Sequence, residues 1–225
     1  MDGNGRWAEA HGLPRLEGHR AGAENLRQII KGCIEKGVKH LTIYAFSTEN
    51  WRRPKEEVDG LLTILETYLD KETEELCREG VRIHHIGRPE AMRESARKKL
   101  ENSMEVTCQN TSLVLHLAWN YGGRDEIIHV IQKMIEDGIP VDQVTEETVD
   151  KYLFTSGAPD PDLIIRTSGE LRTSNFLIWQ SAYSEWYITP TLWPDFDKAE
   201  LFKAIDIYAQ RDRRFGRISS SDHEN

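Results

Sequence analysis

Apolar and polar positions along the chain change repeatedly between helical spacing and the spacing of buried strands. Apolar residues from Leu26 to Ile34 recur every three or four positions and stop before Gly37, which predicts a helix that begins near Gly22 and ends there. The segment HLTIYAF follows directly, and its β-branched, aromatic and other apolar residues predict a buried strand. This part of the chain is therefore expected to form a helix followed by a strand.

The same alternation continues towards the carboxyl terminus. Helices are predicted from Pro54 to near Gly80, from about Pro89 to Thr107, in RDEIIHVIQKMIEDG and TEETVDKYLF, and after the capping residue Asp197. Between them lie the predicted strands VRIHHIG, SLVLHLAWNY, DLIIRTS and EWYITPTLW. Strands that alternate with helices predict an α/β fold in which helices flank a single, mostly parallel β-sheet.

One domain is expected to contain the whole chain. The 225 residues suit a single hydrophobic core, and no internal repeat, low-complexity tract or linker rich in Pro, Gly and Ser divides them. We therefore expect residues 1–225 to form one domain, with residues 217–225 as a disordered tail.

Net charge and cysteine content argue against several classes of protein. The 38 Asp and Glu residues exceed the 29 Lys and Arg residues, and a formal charge of −9 provides no global field that would attract nucleic acid. The three widely spaced cysteines predict reduced core thiols. The start MDGNGRWAEAHG lacks the features of a signal peptide, and no apolar run has the length of a membrane span. We expect a cytoplasmic protein.

Small polar and charged residues collect in the loops that follow the predicted strands. FSTENWRRP follows the first strand, WNYGGR the third and RTSGELRTSNF the fourth, and all three loops are rich in Arg, Ser, Asn and Gly. Ligands of parallel sheets bind beyond the carboxyl ends of the strands. These loops are therefore the predicted position of the ligand site.

Two segments contain the chemistry of a phosphate site. The glycines of MDGNGRW would let backbone N–H groups approach a phosphate, and Asp2 could supply an anionic oxygen to Mg²⁺. In RTSGELRTSN, Arg166 and Arg172 could bind a diphosphate through their planar guanidiniums. Each segment taken alone also fits a solvated turn or loop, Trp51 alone fits packing, and Glu185 alone fits an edge carboxylate. Neither a P-loop nor a DDxxD pair is present.

The order of eight segments identifies a family resemblance. These segments are MDGNGRWA, HRAG, YAFSTENWRRP, NYGGR, DLIIRTSGE, SNFLIWQ, AYSEWY and LWPDFD. From Met1 to about Gly216 the chain resembles the cis-prenyltransferases, the family of bacterial undecaprenyl diphosphate synthase. The resemblance implies condensation of isopentenyl diphosphate onto an allylic diphosphate, typically farnesyl diphosphate. The implied product is a Z-polyprenyl diphosphate such as undecaprenyl diphosphate, used for the cell-wall lipid carrier, and the implied cofactor is Mg²⁺.

The resemblance also implies roles for individual residues. The catalytic residues would be Asp2, Ser47 and Asn50, and the metal ligands would be Asp2 and Glu185. The allylic diphosphate would be bound by Gly3, Asn4, Gly5, Arg6, Arg15 and His19. The isopentenyl diphosphate would be bound by Arg166, Arg172 and Ser174. Further contacts to substrate would come from Trp7, Ser47, Thr48, Glu49, Trp51 and Arg53.

The resemblance also implies that the protein pairs with a second copy of itself and delivers its product to a membrane. By resemblance, Glu185 would reach the metal in part across a dimer interface, together with the segment Arg214-Phe215-Gly216, so we expect a homodimer. The apolar product would be handed to the membrane.

An apolar tunnel is expected to set product length, because a growing chain needs a dry, elongated cavity. We place this tunnel between the sheet and the helix that starts after Pro54. The small side chain of Ala45 leaves room in it, which favours a medium or long product. Leu113 and Trp119 share a strand face and are the candidates for its wall or floor.

The start of the chain departs from the family pattern. In the family a hydrophobic strand precedes the MDGNGRW block, whereas Met1 is the first residue here. We therefore expect a sheet without its first central strand, which leaves a chain shortened before Met1 or an impaired activity as alternatives. Two other functions stay open as well: a non-catalytic partner subunit of the same fold, and a short-chain cis-prenyl diphosphate synthase.

Overall fold

The computed structural model of the protein describes residues 1–211, and within that range it contains five β-strands and seven α-helices. The strands are β1 (His40–Ser47), β2 (Val81–Ile86), β3 (Leu113–Tyr121), β4 (Leu163–Arg166) and β5 (Glu185–Ile188). The helices are α1 (Asn4–Ala10), α2 (Arg15–Glu35), α3 (Lys55–Arg78), α4 (Glu94–Thr107), α5 (Gly123–Glu136), α6 (Glu146–Tyr152) and α7 (Lys198–Ala209).

The strands are all parallel, which confirms the α/β class, but they are divided between two sheets. β3 lies between β1 and β2, and β4 pairs with β5. β1 and β4 each pair with a strand on one side only, and residues of both line one cavity of about 760 Å³. The expectation of one continuous sheet is corrected, because within residues 1–211 no strand bridges β1 and β4.

Apolar residues cover both faces of β3. Leu115 and Leu117 belong to the main core together with residues of α2 and α3, whereas Ala118 and Tyr121 pack with Leu177 in a second cluster. A parallel sheet that is covered on both faces needs such nearly continuous apolar strands. None of the helices within residues 1–211 combines the length and the apolar character that crossing a membrane requires.

Helix α2 begins at Arg15 and not near Gly22 as the sequence predicts. Gly18 and Gly22 lie inside this helix, where it packs against α1. A Cβ atom on Gly18 would come within 2.0 Å of the backbone oxygen of Asn4. The glycines that suggest a loop therefore allow two helices to approach closely, despite their unfavourable helix propensity.

Two smaller expectations are also corrected. β5 ends at Ile188, well short of the predicted EWYITPTLW strand, because Pro190 has no N–H group for a strand ladder. Cys33 is buried as predicted, but Cys108 is exposed, since it lies in the turn that follows α4.

Three histidines meet on neighbouring strands of the larger sheet. The Nδ1 atom of His40 lies 3.1 Å from His116 Nε2, and the Nδ1 atom of His84 lies 3.2 Å from His116 Nδ1. His116 is buried, and this burial lowers its pKa to about 4, with further lowering by His84, His40 and Arg82. The cluster is therefore neutral at pH 7.

This cluster predicts a loss of stability in mild acid. Between pH 6.5 and about 4 the unfolded chain binds a proton at His116 that the folded chain does not bind. The free energy of unfolding should therefore fall by about 2 kcal/mol between pH 7 and pH 5 on account of this residue. Urea unfolding at both pH values measures the fall. The His116→Asn variant should show a smaller fall than the wild type, and an equal fall would contradict the prediction.

Candidate active site

The amino terminus is fixed beside the carboxyl end of β4. The backbone N–H of Asp2 donates a hydrogen bond to Thr167 Oγ1 (2.9 Å), and the Thr167 hydroxyl lies 2.7 Å from the Asp2 carbonyl oxygen. Trp193 N–H donates to the same carbonyl at 3.0 Å. Burial lowers the pKa of the Met1 ammonium to about 6. Asp2 thus has a defined position at the edge where ligands of parallel sheets bind.

Two guanidiniums surround the Asp2 carboxylate. Arg166 Nη2 donates to Asp2 Oδ2 at 2.9 Å, and Arg6 Nη2 lies 3.6 Å from Asp2 Oδ1. Partial burial acts to raise the pKa of Asp2, but the hydrogen bond and charge of Arg166, with Arg6, outweigh it and hold the pKa below its ordinary value. The carboxylate is therefore ionised at neutral pH.

Arg166 connects Asp2 to the loop that follows β4. Its side chain is only 13% exposed, and its Nη1 donates to Ser174 Oγ (2.8 Å) and to the carbonyl oxygen of Arg172. Arg172 itself is 63% exposed and forms an ion pair with Glu170 at 2.5 Å. The structure thus brings Arg166, Ser174 and Asp2 together, while the guanidinium of Arg172 stays at the solvent side.

Two arginines and a histidine gather around Glu57 on α3. Its Oε1 lies 3.1 Å from Arg53 Nη1, 3.5 Å from Arg15 Nε and 3.8 Å from His19 Nε2. Burial lowers the pKa of His19 to about 4, and the charges of Arg53 and Arg15 add to the lowering, so this imidazole is neutral at pH 7. Sequence reasoning missed Glu57. Its position in the first turn of α3, four residues after Arg53, was the available signal.

The glycines at the start of the chain allow neighbouring side chains to pack closely against the backbone. Gly3 has a φ of 108° and precedes α1, and a Cβ on Gly3 would lie 2.9 Å from Leu192 Cδ2. A Cβ on Gly5 would lie 2.9 Å from the guanidinium carbon of Arg15. Asn4 Oδ1 is buried without a hydrogen-bond partner among the described residues. Gly5 and Arg15, both expected at the allylic site, are therefore close neighbours, whereas Arg6 donates to Ser168 Oγ at 2.5 Å in the loop after β4.

The loop after β1 is held by its own side chains. Ser47 and Asn50 form a reciprocal capping box, in which Ser47 N–H donates to Asn50 Oδ1 at 3.0 Å. Both residues line the cavity. Trp51 packs against Phe46 and donates from Nε1 to Asn120 Oδ1 at 2.6 Å, which is the packing role considered for it.

Two predicted site residues lie away from this group. Trp7 donates to Asp195 Oδ1 at 2.8 Å and stacks on His11. Glu185 begins β5 opposite Leu163, at the amino end of the pair, and accepts a hydrogen bond from Arg211 at 2.6 Å. Arg166 lies three residues further along, roughly 10 Å away. Within one chain the structure therefore does not bring Glu185 to Asp2, because strand register separates them. The segment 214–216 lies outside the described residues.

The cavity between β1 and β4 extends from this polar group into the core. Polar residues at one end include Asp2, His19 and Arg166, and apolar residues of α2 and α3 form much of the wall. Ala45 and Trp119 line it, but Leu113 does not. Leu113 is instead fully buried next to Val81 at the amino end of β3, which corrects its assignment to the tunnel wall.

A divalent hard cation fits Asp2. Among residues 1–211, no group of three or more His, Cys, Asp or Glu side chains could hold a metal ion. Mg²⁺ commonly needs only one or two carboxylates when substrate phosphates and waters complete its shell. The Asp2 carboxylate is ionised and 37% exposed, and therefore provides one such ligand.

Fold and site together define an α/β protein with arginines and an ionised carboxylate beside a largely apolar cavity, an arrangement that suits a ligand with an anionic head and an apolar chain. The sequence profile of the family described as "Putative undecaprenyl diphosphate synthase" matches residues 1–216. An isoprenyl transferase of Heliobacterium mobile is 50% identical over 222 residues, covering 97% of this chain and 85% of the relative. An isoprenyl transferase of Thermotoga maritima is 50% identical over 219 residues, covering 96% of this chain and 94% of the relative.

Solved structures give the same result. Lavandulyl diphosphate synthase from Lavandula x intermedia, in complex with dimethylallyl diphosphate, matches with a TM-score of 0.93 at 36% identity over 96% of this chain and 95% of that chain. A probable undecaprenyl diphosphate synthase from Campylobacter jejuni matches with a TM-score of 0.79 at 34% identity, over 88% of this chain and 92% of that chain. The chain belongs to the undecaprenyl diphosphate synthase family of cis-prenyltransferases, whose activity is isoprenyl transfer.

Proposed function

We propose that this protein condenses isopentenyl diphosphate onto an allylic diphosphate, with farnesyl diphosphate as the preferred primer, to give a Z-polyprenyl diphosphate such as undecaprenyl diphosphate for the cell-wall lipid carrier. The observation that carries the proposal is Arg166, which joins Asp2 to Ser174 at the polar end of the apolar cavity. We place the protein in the cytoplasm and expect it to hand its product to the membrane.

The two diphosphates would occupy two neighbouring parts of this site. The segment from Gly3 to Arg6, with Arg15 and His19, would bind the allylic diphosphate, and Arg166, Arg172 and Ser174 would bind isopentenyl diphosphate. Mg²⁺ bound at Asp2 would neutralise the charge that develops on the leaving diphosphate. The arginines add fixed positive charge at the same place. No nucleophilic side chain is needed, because the isopentenyl double bond attacks the allylic carbon.

Ser47 and Asn50 are proposed to orient isopentenyl diphosphate for this attack and for the proton loss that follows. Both line the cavity, and their capping box keeps the loop after β1 in one conformation. Glu185 is proposed to approach the metal of a partner subunit, since its own Asp2 lies at the other end of the strand pair.

An assay with radiolabelled isopentenyl diphosphate tests the proposal. Dimethylallyl and farnesyl diphosphates are supplied in turn, with Mg²⁺ or with EDTA, and products are separated by thin-layer chromatography. We expect Mg²⁺-dependent elongation of farnesyl diphosphate through several condensations. A single condensation onto dimethylallyl diphosphate would favour a short-chain synthase, for which the likeness to lavandulyl diphosphate synthase is the specific observation. No product under any condition would favour a non-catalytic partner subunit.

Enlarging Ala45 should shorten the product. Ala45 lies on β1 and lines the cavity, so the Ala45→Leu side chain would fill space that the growing chain needs. The KM for isopentenyl diphosphate should stay within about twofold, because the side chain at position 45 has no polar group that could bind a diphosphate. Ala118→Leu, on the opposite face of the sheet, controls for overpacking. An unchanged product distribution for Ala45→Leu would place the tunnel elsewhere.

We also propose a homodimer that uses an exposed face of α5. Ile128, Ile131 and Ile135 recur at helical spacing and are 52%, 52% and 74% exposed, and Val141 and Val144 beyond the helix are exposed as well. Exposed apolar residues concentrated in one segment of this kind are typical of an interface. Light scattering at micromolar concentration should give the mass of a dimer, and Ile131→Asp should give a monomer. Val106→Asp on α4, where Val106 is 49% exposed, is the matched control. A monomeric wild type would reject the proposal.

A further inference from the structure

Asn175 directly follows Ser174 and contacts two distant segments of the chain. Its Nδ2 donates to Glu49 Oε1 at 2.9 Å, and its Oδ1 accepts from the backbone N–H of Arg124 at 2.9 Å. Its backbone oxygen accepts from Gly123 N–H at 2.7 Å. One residue therefore connects the loop after β4, the short 3₁₀ helix Thr48–Arg52 and the amino terminus of α5.

The backbone around Asn175 is constrained. Ser174 and Asn175 have φ values of 51° and 64°, in the left-handed region that Asn tolerates better than most residues. A Cβ atom on Gly122 would lie 2.7 Å from Asn175 Nδ2, so the start of α5 is in close contact with the amide. Asparagine meets both demands at this position: it tolerates the conformation, and its side chain has one donor and one acceptor.

The segments that Asn175 connects contain residues of both halves of the site. Glu49 lies in the 3₁₀ helix that contains Asn50, the capping-box partner of Ser47. On the other side, Ser174 Oγ accepts the hydrogen bond from Arg166. Through its hydrogen bond to Glu49, the amide of Asn175 therefore holds Ser174 in a defined position relative to Ser47 and Asn50.

We infer that Asn175 is a positioning residue for isopentenyl diphosphate: it does not contact the substrate but fixes the distance between the groups that bind its diphosphate and those that orient its double bond. The inference rests on the proposed function. Asn175 would act through Ser174 and through Glu49, and exchanging the donor and acceptor between positions 49 and 175 should preserve its effect.

Exchanging the amide group at position 175 and the carboxylate at position 49 tests this inference. In Asn175→Asp the new carboxylate can still accept from Arg124 N–H, but it faces Glu49 and loses the donor. The KM for isopentenyl diphosphate should rise about tenfold, and the KM for the allylic substrate should change less than about twofold. Glu49→Gln alone keeps an acceptor for Asn175 Nδ2, and its KM for isopentenyl diphosphate is the reference that accounts for any substrate contact of Glu49 itself. The double variant Asn175→Asp/Glu49→Gln restores one donor and one acceptor and should return the KM to within about threefold of that of Glu49→Gln.

Two further measurements complete the experiment. Asn110→Asp is the structural control, because Asn110 Nδ2 also donates across segments, to the carbonyls of Cys77 and Val81, near the opposite ends of the strands. It should lower stability without changing the KM for isopentenyl diphosphate. The same proteins are also titrated with Mg²⁺ and inorganic diphosphate by calorimetry, so that the inference is tested even if no product forms.

The outcomes separate the inference from the proposed function. The wild type could bind diphosphate without forming product, while Asn175→Asp binds it weakly and the double variant binds it tightly again. That result would reject the proposed function and keep the positioning role. An active wild type without recovery in the double variant would reject the positioning role. Equal diphosphate affinity in all variants, or no binding to the wild type, would also overturn it.

Discussion

Asp2→Ala should lower turnover by about 10²–10³-fold, the usual effect of removing one electrostatic stabiliser of a transition state. The structure gives the reason. The carboxylate is ionised between Arg166 and Arg6, and it fits as a Mg²⁺ ligand at the mouth of the cavity. The fold should survive, because the bonds that anchor Asp2 to Thr167 and Trp193 use its backbone atoms.

A matched variant separates this effect from a general loss of charge. Asp70 is 57% exposed and forms an ion pair with Lys99 between α3 and α4, outside the candidate site. Asp70→Ala should leave turnover within about twofold of wild type, because an exposed ion pair contributes little to stability. Steady-state rates are measured at saturating Mg²⁺ and both substrates, with circular dichroism as the check on folding. Equal turnover of Asp2→Ala and wild type would remove Asp2 from the catalytic residues.

The second large effect is expected at Arg166, and it should differ in kind from that at Arg172. Each variant would remove one proposed charge-assisted phosphate contact of roughly 1.5–3 kcal/mol, so both Arg166→Ala and Arg172→Ala should raise the KM for isopentenyl diphosphate. Only Arg166 also donates to Asp2. Its loss leaves the Asp2 carboxylate with only the longer contact to Arg6 and so removes the hydrogen bond that orients it, and kcat should therefore fall as well.

Initial rates measured against each substrate separately distinguish these effects. Arg172→Ala should change only the KM for isopentenyl diphosphate, and Arg166→Ala should change this KM and kcat together. A rise in the allylic KM alone would mean that the two diphosphate sites are exchanged. Identical behaviour of the two variants would contradict the role of Arg166 as the link between Asp2 and Ser174.

Local structure could be predicted from the sequence because it depends on neighbouring residues. The apolar spacing between Leu26 and Ile34 predicted part of α2, and the run HLTIYAF predicted β1. The start of α2 was misplaced, because glycine usually marks a turn. At Gly18 and Gly22 it instead permits contact with α1, a partner that the local pattern does not show.

The candidate site could be predicted only in part, for a related reason. The order of its motifs was enough to identify the family, and Asp2 and Arg166 were candidates from their chemistry whose roles followed from the resemblance. That they meet, although 164 positions separate them, depends on how β4 and the amino terminus pack together. The same holds for Glu57, around which Arg15, His19 and Arg53 gather, and which no motif singled out.

The sequence by itself determined the alternation of helices and strands, the parallel α/β class, the family and the residue types of the site, since these follow from periodicity, side-chain chemistry and motif order. The tertiary structure alone decided that β1 and β4 belong to separate sheets, that Glu185 lies at the opposite end of the strand pair from Arg166, and that Asn175 reaches Glu49. These features depend on register and on packing between distant segments, where a shift of a few residues moves a side chain by about 10 Å.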